Sequence, residues 1–512
     1  MLTVREAAFA VFRHYGVDKL FGNPGSTELP MLKAMPFPYV MGLNEAVVVG
    51  MADGYARASG KPALVNLHSS AGTGHSLGNL FTAWKNNTPV VVTAGQQARS
   101  ILPFDPFLFA ERPTEFPRPY VKYAVEPARA EDVPLALARA FAIALTPPMG
   151  PVFVSIPVDD WDQMCEMPAL PELTLRTFPD PAGVAKLAAM IDGAKNPALV
   201  IGTGAANSGA WSAAIELAEK AGMAVWTAPY AAREVFPENH PQFAGFLPAW
   251  RDQIRNLLAS HDAILVAGAP VFTYHVEGSG PHWPEGAALM ALSDDPQHLA
   301  ALPGGGGVLG DVAAGLSALA QQVSARSFTG TSHQLKDPAP AMTAAYVLKR
   351  LAALRPAEAV IVEESPTARG PCHDTLPITR EGGFYTCASG GLGYSLPAAV
   401  GVALGQGDKV VAILGDGAAM YTIQGLFSAM QEKANVSFVI LNNAAYAALT
   451  GFSAEFGMNH VPGCDLTGLD FAQLAAAQGL PSRRVDSVDT LDEALGWSMT
   501  QTGPSLLDIR IS

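Results

Sequence analysis

Cysteine is scarce: 512 residues contain four, Cys165, Cys372, Cys387 and Cys464. None lies in a CxxC spacing and four are too few to staple so long a chain, so a disulfide framework is excluded and a reducing cytoplasm fits best. Charge is sparse as well, with 15% Asp, Glu, Lys and Arg, and the balance is acidic at −14. A general binder of nucleic acid or of anionic membrane needs the opposite sign, so neither partner is expected. No stretch approaches 18 consecutive apolar residues, so no bilayer-spanning helix is expected. The first residues, MLTVREAAFAVFRHYG, mix Arg5, Glu6, Arg13 and His14 into apolar positions at helical spacing, which reads as a helix and not as a secretion signal.

What is present is apolar: 49% of residues are hydrophobic, and at roughly 150 residues per domain the length allows about three cores. Short runs rich in Val, Ile and Leu recur between helical patterns, at 63–68, 89–95, 151–157, 197–204, 263–270, 359–365, 409–417 and 436–443. They read as buried parallel strands, and many end in Gly, Ser, Asn or His where a helix would begin. In open α/β sheets ligands gather beyond those carboxyl ends, so the site belongs on strand-end loops. Two polar, Pro-containing stretches, 164–183 and 324–342, read as linkers. The expected fold is α/β, three doubly wound parallel-sheet domains over 1–165, 183–325 and 341–512. A Pro- and Phe-rich segment at 101–119 has no clean period and is expected to be an ordered loop with exposed aromatics.

The strongest motif lies in KVVAILGDGAAMYTIQGLFSAMQEKANVSFVILNNAAYAAL. One strand delivers Gly415-Asp416-Gly417, a helix follows, and a second strand delivers Asn442-Asn443 at a neighbouring tip. Asp416 offers a carboxylate, Asn443 an amide oxygen and Ala445 a backbone carbonyl; three oxygens on one side suit Mg²⁺ completed by a diphosphate and water. Gly415 and Gly417 let the backbone approach a phosphate, and the helix start favours its negative charge. The Gly-Asp-Gly turn alone would be explained as well by a strand ending.

The whole arrangement resembles the diphosphate-binding motif of thiamine diphosphate enzymes. With GLNEAVVVGMADGYARASG around Glu45, FGNPGSTELP at 21–30, NLHSSAGTG at 66–74 and GGLGYSLPAAVG at 390–401, nearly the whole chain resembles the 2-oxo-acid decarboxylases of that family, those acting on benzoylformate in particular. The resemblance implies a pyrimidine-binding first domain, a Rossmann-like middle domain and a diphosphate-binding third domain, with sites built between subunits of a homodimer or homotetramer. Thiamine diphosphate and Mg²⁺ are the implied cofactors, a 2-oxo acid and aldehydes the implied small-molecule partners. The implied reaction is non-oxidative decarboxylation of an aryl 2-oxo acid through a thiazolium ylide and an enamine, with carboligation as a side activity.

The resemblance also implies roles. Glu45 hydrogen-bonds the pyrimidine and promotes loss of the thiazolium proton, Leu392 is the apolar wedge under a bent cofactor, and the Gly390 carbonyl holds its amino group. His68 and His275, in separate domains, serve the carbonyl adduct and protonation of the enamine, duties that suit a near-neutral pKa. Ser26 bonds the substrate carboxylate; read locally, it is instead the N-cap of the next helix, with Leu29 where a capping-box acid would stand. Phe107, Leu108, Pro366, Ala448 and Phe452 line the aryl pocket, while Thr367, Ala418 and Tyr446 join the cofactor contacts. Pro366-Thr367, Ala418 and Ala444-Ala445 depart from the side chains expected of relatives, which bears on substrate choice more than on reaction type.

Two other readings stand beside this one, an acetolactate synthase-like carboligase and a homologue that binds cofactor without turnover. The paired histidines argue against the first; intact Glu45, His68 and His275 argue against the second. Three further features carry less. GTGAANSG at 202–209 follows a strand but is not a full dinucleotide fingerprint. Gly304 to Gly307 reads as a flexible turn, and Asp294-Asp295 as a solvated strand end.

Overall fold

The computed structural model describes residues 1–512, Ala454 by its backbone alone. Three parallel sheets carry the chain. The first runs, in spatial order, Tyr39–Met41, Leu20–Gly22, Ala63–Leu67, Val90–Gln96, Val152–Pro157, Ala124–Val125. The second runs Phe243–Phe246, Ala224–Thr227, Pro197–Ile201, Ala263–Ala267, Ala288–Ser293, Gly306–Leu309. In the third, Val360–Glu364, Val410–Gly415, Val436–Asn442, Ser505–Arg510 and Ser482–Val485 are successive neighbours. The expected fold class is therefore present.

All eight apolar runs are strands. Every residue of Ala63–Leu67, Val90–Gln96, Val152–Pro157 and Val436–Asn442 is buried, the condition of a parallel sheet covered on both faces. Strands without such a run escaped the pattern: Leu20–Gly22, Tyr39–Met41 and Ala124–Val125 span two or three residues each, and Ser482–Val485 is an edge strand with Arg483 and Arg484 in it. The glycine run divides. Gly304 and Gly305 make a turn with φ 159° and 77°, while Gly306 and Gly307 open an edge strand against Met290 and Ala291.

The chain forms two compact units, one of residues 1–174, 337–375 and 389–512 with the first and third sheets, the other of residues 175–336 and 376–388 with the second. In the first unit the N-terminal helix Val4–His14 starts at a reciprocal box: Thr3 Oγ1 accepts the Glu6 amide at 3.2 Å and Glu6 Oε2 accepts the Thr3 amide at 2.8 Å. Two buried helices, Glu45–Ser59 and Ser395–Gln406, join the first and third sheets. A Cβ on Gly401 would overlap the Met51 carbonyl and one on Gly54 the Ala398 carbonyl, so the two backbones touch only because these positions lack side chains. In the second unit the Gly202 and Gly204 amides donate to the Ala267 and Gly268 carbonyls at 3.0 and 2.8 Å. That turn spends two of its amide donors internally.

The 101–119 segment is ordered and carries exposed aromatics, Phe104 at 79% and Phe107 at 96%. Ser69 Oγ donates to the Leu108 carbonyl at 2.8 Å and so ties this loop to the first sheet's strand ends.

Candidate active site

Parallel pairing sets Gly415 beside Leu441, so the Gly-Asp-Gly turn and Asn442-Asn443 emerge from adjacent strand ends. Asp416 Oδ1 accepts the Gly417 amide at 2.7 Å. Its Oδ2 and the Asn443 Oδ1 both accept the Ala445 amide, at 3.3 and 3.1 Å. Carboxylate and amide oxygen thus converge on one N–H. Ala444, at φ 55°, turns the chain there, and its amide donates to Asn442 Oδ1 at 3.1 Å. Burial pushes the Asp416 carboxyl above its ordinary range, and the Gly417 and Ala445 amides pull it partly back.

The residues present fit the implied group. Hard oxygen donors from Asp416 and Asn443 suit Mg²⁺. Gly417 is required for a reason the motif did not suggest: a Cβ there would run into the Tyr446 ring, which lies against the turn. Ala418 is buried in the helix Asp416–Met420, whereas Pro366 and Thr367 are exposed just beyond the strand Val360–Glu364.

Glu45 heads the helix Glu45–Ser59, behind the N-cap Asn44, whose side chain accepts the Ala46 amide at 2.8 Å. Its carboxylate is buried, 9% exposed, and Oε2 lies 3.1 Å from His75 Nδ1. A second helix, Ser69–Lys85, presents Gly72, His75 and Asn79 to that helix start. A Cβ on Gly72 would come within 2.9 Å of Glu45 Oε1. Asn79 Nδ2 donates to the Ala46 carbonyl at 2.7 Å and the Gly393 carbonyl at 3.1 Å, linking the carboxylate's turn to the Gly390–Gly393 turn that carries half-buried Leu392. Gly390 has φ 69°, open only to a residue tolerant of the left-handed region.

That second turn is held by a residue the sequence did not single out. Glu364, buried at the end of its strand, accepts the Gly393, Tyr394 and Ser395 amides at 2.5, 2.9 and 2.5 Å, capping the helix Ser395–Gln406 from a distance. Burial pushes its carboxyl up to about 7, against the pull of those amides. Tyr394 next reaches the first domain: its hydroxyl donates to Asp53 Oδ1 at 2.6 Å and accepts from Arg57 Nη1 at 2.7 Å, while Asn86 Nδ2 lies within 3.3 Å of both Asp53 oxygens.

His68 ends the strand Ala63–Leu67. Its Nδ1 lies 2.8 Å from Glu28 Oε2 and 3.2 Å from Thr27 Oγ1, and Thr27 Oγ1 donates to Glu28 Oε1 at 2.5 Å. Glu28 is 1% exposed and Thr27 2%, so the ring is clamped by two buried side chains 40 and 41 residues away. A Cβ on Gly25 would overlap the ring. This corrects the capping expected of Ser26: Gly25, with φ −124° and ψ −174°, is the cap residue, and Glu28 returns to the Gly25 amide at 3.0 Å. The box acid is one residue earlier than Leu29 because the tight turn Ser26–Glu28 begins at Ser26. Ser26 itself is exposed at the head of that turn.

Of the pocket candidates, Leu108 sits at the His68 turn through Ser69, Ala448 and Phe452 lie half-buried on the helix Ala447–Ser453, and Phe107 projects to solvent. His275 belongs to the second unit, in the segment after the strand Ala263–Ala267, where its amide donates to the Ala249 carbonyl at 2.8 Å. Thr27, Glu28, His75, Asn79 and Glu364 were not foreseen as site residues. Only Glu28 left a local signal, an acid three residues after a cap glycine.

Three thiamine pyrophosphate enzyme models match: the N-terminal TPP binding domain over residues 2–110, the central domain over 184–319 and the C-terminal TPP binding domain over 371–509. Benzoylformate decarboxylase of Pseudomonas aeruginosa is 40% identical, covering 99% of each chain. The crystal structure of benzoylformate decarboxylase from Polynucleobacter necessarius superposes with a TM-score of 0.98 at 38% identity, covering 100% of this chain and 99% of that one. The acetolactate synthase isozyme 2 large subunit of Escherichia coli is 26% identical over 98% of this chain and 94% of its own.

Proposed function

The chain belongs to the thiamine pyrophosphate enzymes, and from that membership we propose that it is a thiamine diphosphate- and Mg²⁺-dependent decarboxylase of aryl 2-oxo acids, releasing CO₂ and an aldehyde. When bound, the cofactor's thiazolium ring supplies the electron sink that carbanion chemistry requires and no side chain offers. Asp416, Asn443 and the Ala445 carbonyl would hold the cation and, through it, the diphosphate. Gly390 and Leu392 would position the aminopyrimidine end, and Glu45 would share a proton with its ring nitrogen.

The observation that carries the decarboxylase reading is the His68 clamp. A carboxylate accepts only from a protonated nitrogen, so Glu28 holds a proton of His68 on Nδ1 and leaves Nε2 as the ring nitrogen outside this contact. Such a ring can hand over or take up one proton at Nε2 while its orientation stays set. His275 takes the second proton-transfer role, and Ser26 the substrate carboxylate, on the sequence resemblance alone. Phe107, Leu108, Ala448 and Phe452 are assigned to an aryl ring on the same ground. Carboligation follows as a side activity, and an assembly of two or four copies follows from the family pattern. The scarcity of cysteine, four in 512 residues, supports a reducing compartment such as the cytoplasm. Among the described residues no helix is long and apolar enough to cross a membrane.

Purified protein given thiamine diphosphate and Mg²⁺ is assayed for CO₂ from benzoylformate, phenylpyruvate and pyruvate. The expected result is rapid release from benzoylformate with formation of benzaldehyde. Condensation of pyruvate would replace this reading with a carboligase. Consumption of none would replace it with a binding protein.

A further inference from the structure

The geometry points to His75 as a positioning residue for Glu45: its Nδ1–H holds Oε2 and reserves Oε1 as the oxygen that shares a proton with the cofactor. This rests on the functional reading above and deepens it. Three residues of one helix face, at i, i+3 and i+7, meet the Glu45 helix start, and each does something different there. Gly72 leaves room beside Oε1, His75 binds Oε2, and Asn79 holds the Ala46 carbonyl.

The two carboxylate oxygens are therefore unequal before any ligand arrives. Oε2 is engaged at 3.1 Å by a ring whose side chain is 63% exposed, whereas Oε1 faces the gap that the missing Cβ of Gly72 leaves. An ionised carboxylate accepts only, so Nδ1 must be the donor in this contact. A carboxylate at a helix start can turn about its terminal torsion, which is broad for Glu. A donor fixed on one oxygen removes that freedom and sets the orientation.

The test uses the full-length holoenzyme and two readouts besides turnover: cofactor affinity by calorimetry and the rate of hydrogen–deuterium exchange at the thiazolium C2 by quenched NMR. His75→Ala removes the donor. His75→Asn keeps an N–H at the place of Nδ1, since both nitrogens are bonded to Cγ, but has no titratable ring. The expected result is exchange slowed about tenfold in His75→Ala, the scale of one charge-assisted hydrogen bond, and restored to within about twofold of the parent in His75→Asn. Thermal midpoints that match the parent's exclude misfolding as the cause. His75→Ala indistinguishable from the parent in both readouts overturns the inference, as does His75→Asn as slow as His75→Ala. A parent that takes up no cofactor overturns the functional reading and this inference together, whereas a cofactor-binding parent with an unaffected alanine variant overturns the inference alone.

Discussion

The Asp416 turn and the His68 turn both sit at the carboxyl ends of buried parallel strands, yet they are held by opposite means. Around Asp416 the partners are near in sequence or just past the adjacent strand: the Gly417 and Ala445 amides donate to the two Asp416 oxygens, and the Ala445 amide also to Asn443 Oδ1. Around His68 the partners are Thr27 and Glu28, some 40 residues away, and the ring's orientation exists only because another loop arrives at the right place. A site that binds an anion with its cation can be built from backbone and one strand register. A site that must aim one ring nitrogen needs a second, separately anchored support.

The contrast can be broken first at its self-contained end. Asp416→Ala removes the charged donor from the proposed cation site, so Mg²⁺-dependent uptake of thiamine diphosphate should fall by more than the about hundredfold that loss of an outer partner reaches. Calorimetry with and without chelator reads this, and unchanged uptake would remove Asp416 from the site. At the distant support, Glu28→Gln frees the His68 ring while leaving cofactor binding intact. Turnover of benzoylformate should drop about ten- to a hundredfold with a much smaller change in cofactor affinity. A parallel loss of both would mean that Glu28 serves the fold and not the ring.

The Leu392 turn, held by Glu364, lies between the two extremes and answers to pH. Its carboxyl is raised from 4.5 to about 7 by burial, so the folded protein binds that proton more tightly than the unfolded chain. The associated stability is full below about pH 4.5 and is lost as pH climbs through about 7. Glu364→Gln, which has no proton to lose, should therefore gain on the parent between pH 5 and pH 8, by at most about 3 kcal/mol. Urea denaturation across that range measures the difference, and a constant gap would contradict the raised carboxyl. Smallest is Tyr394→Phe. Deleting the hydroxyl leaves buried Asp53 short of one donor and Arg57 of one acceptor, at a cost of about 1–3 kcal/mol in urea denaturation. A neutral result would show that Asn86 and Arg57 satisfy Asp53 without it.

Much of this was legible in the residues. The eight apolar runs became strands because a segment buried on both faces has to be apolar throughout, and that demand is written locally. The phosphate motif was legible for a related reason: its two halves end adjacent strands. Glu45 and His68 were legible through the resemblance of the motifs around them, GLNEAVVVG and NLHSSAGTG. The supporting residues were not legible. His75 looks like any surface histidine until the helix Ser69–Lys85 is docked beside the Glu45 turn. Glu364 looks like the polar end of a strand until three amides of a helix 30 residues on turn toward it. Ser26 was misplaced as a cap because Gly25, with no side chain to announce it, begins the turn.

By its order of residues alone, the chain determined which segments must be buried, where strands hand over to helices, and which oxygens stand at the Asp416 and Asn443 tips. Tertiary structure decided the aim of His68, the inequality of the two Glu45 oxygens and the fixing of the Leu392 turn. The physical reason is one of range. Burial and backbone conformation are set by neighbours along the chain, whereas a side chain's hydrogen-bond partner is whatever donor or acceptor the packing of distant elements brings within about 3 Å.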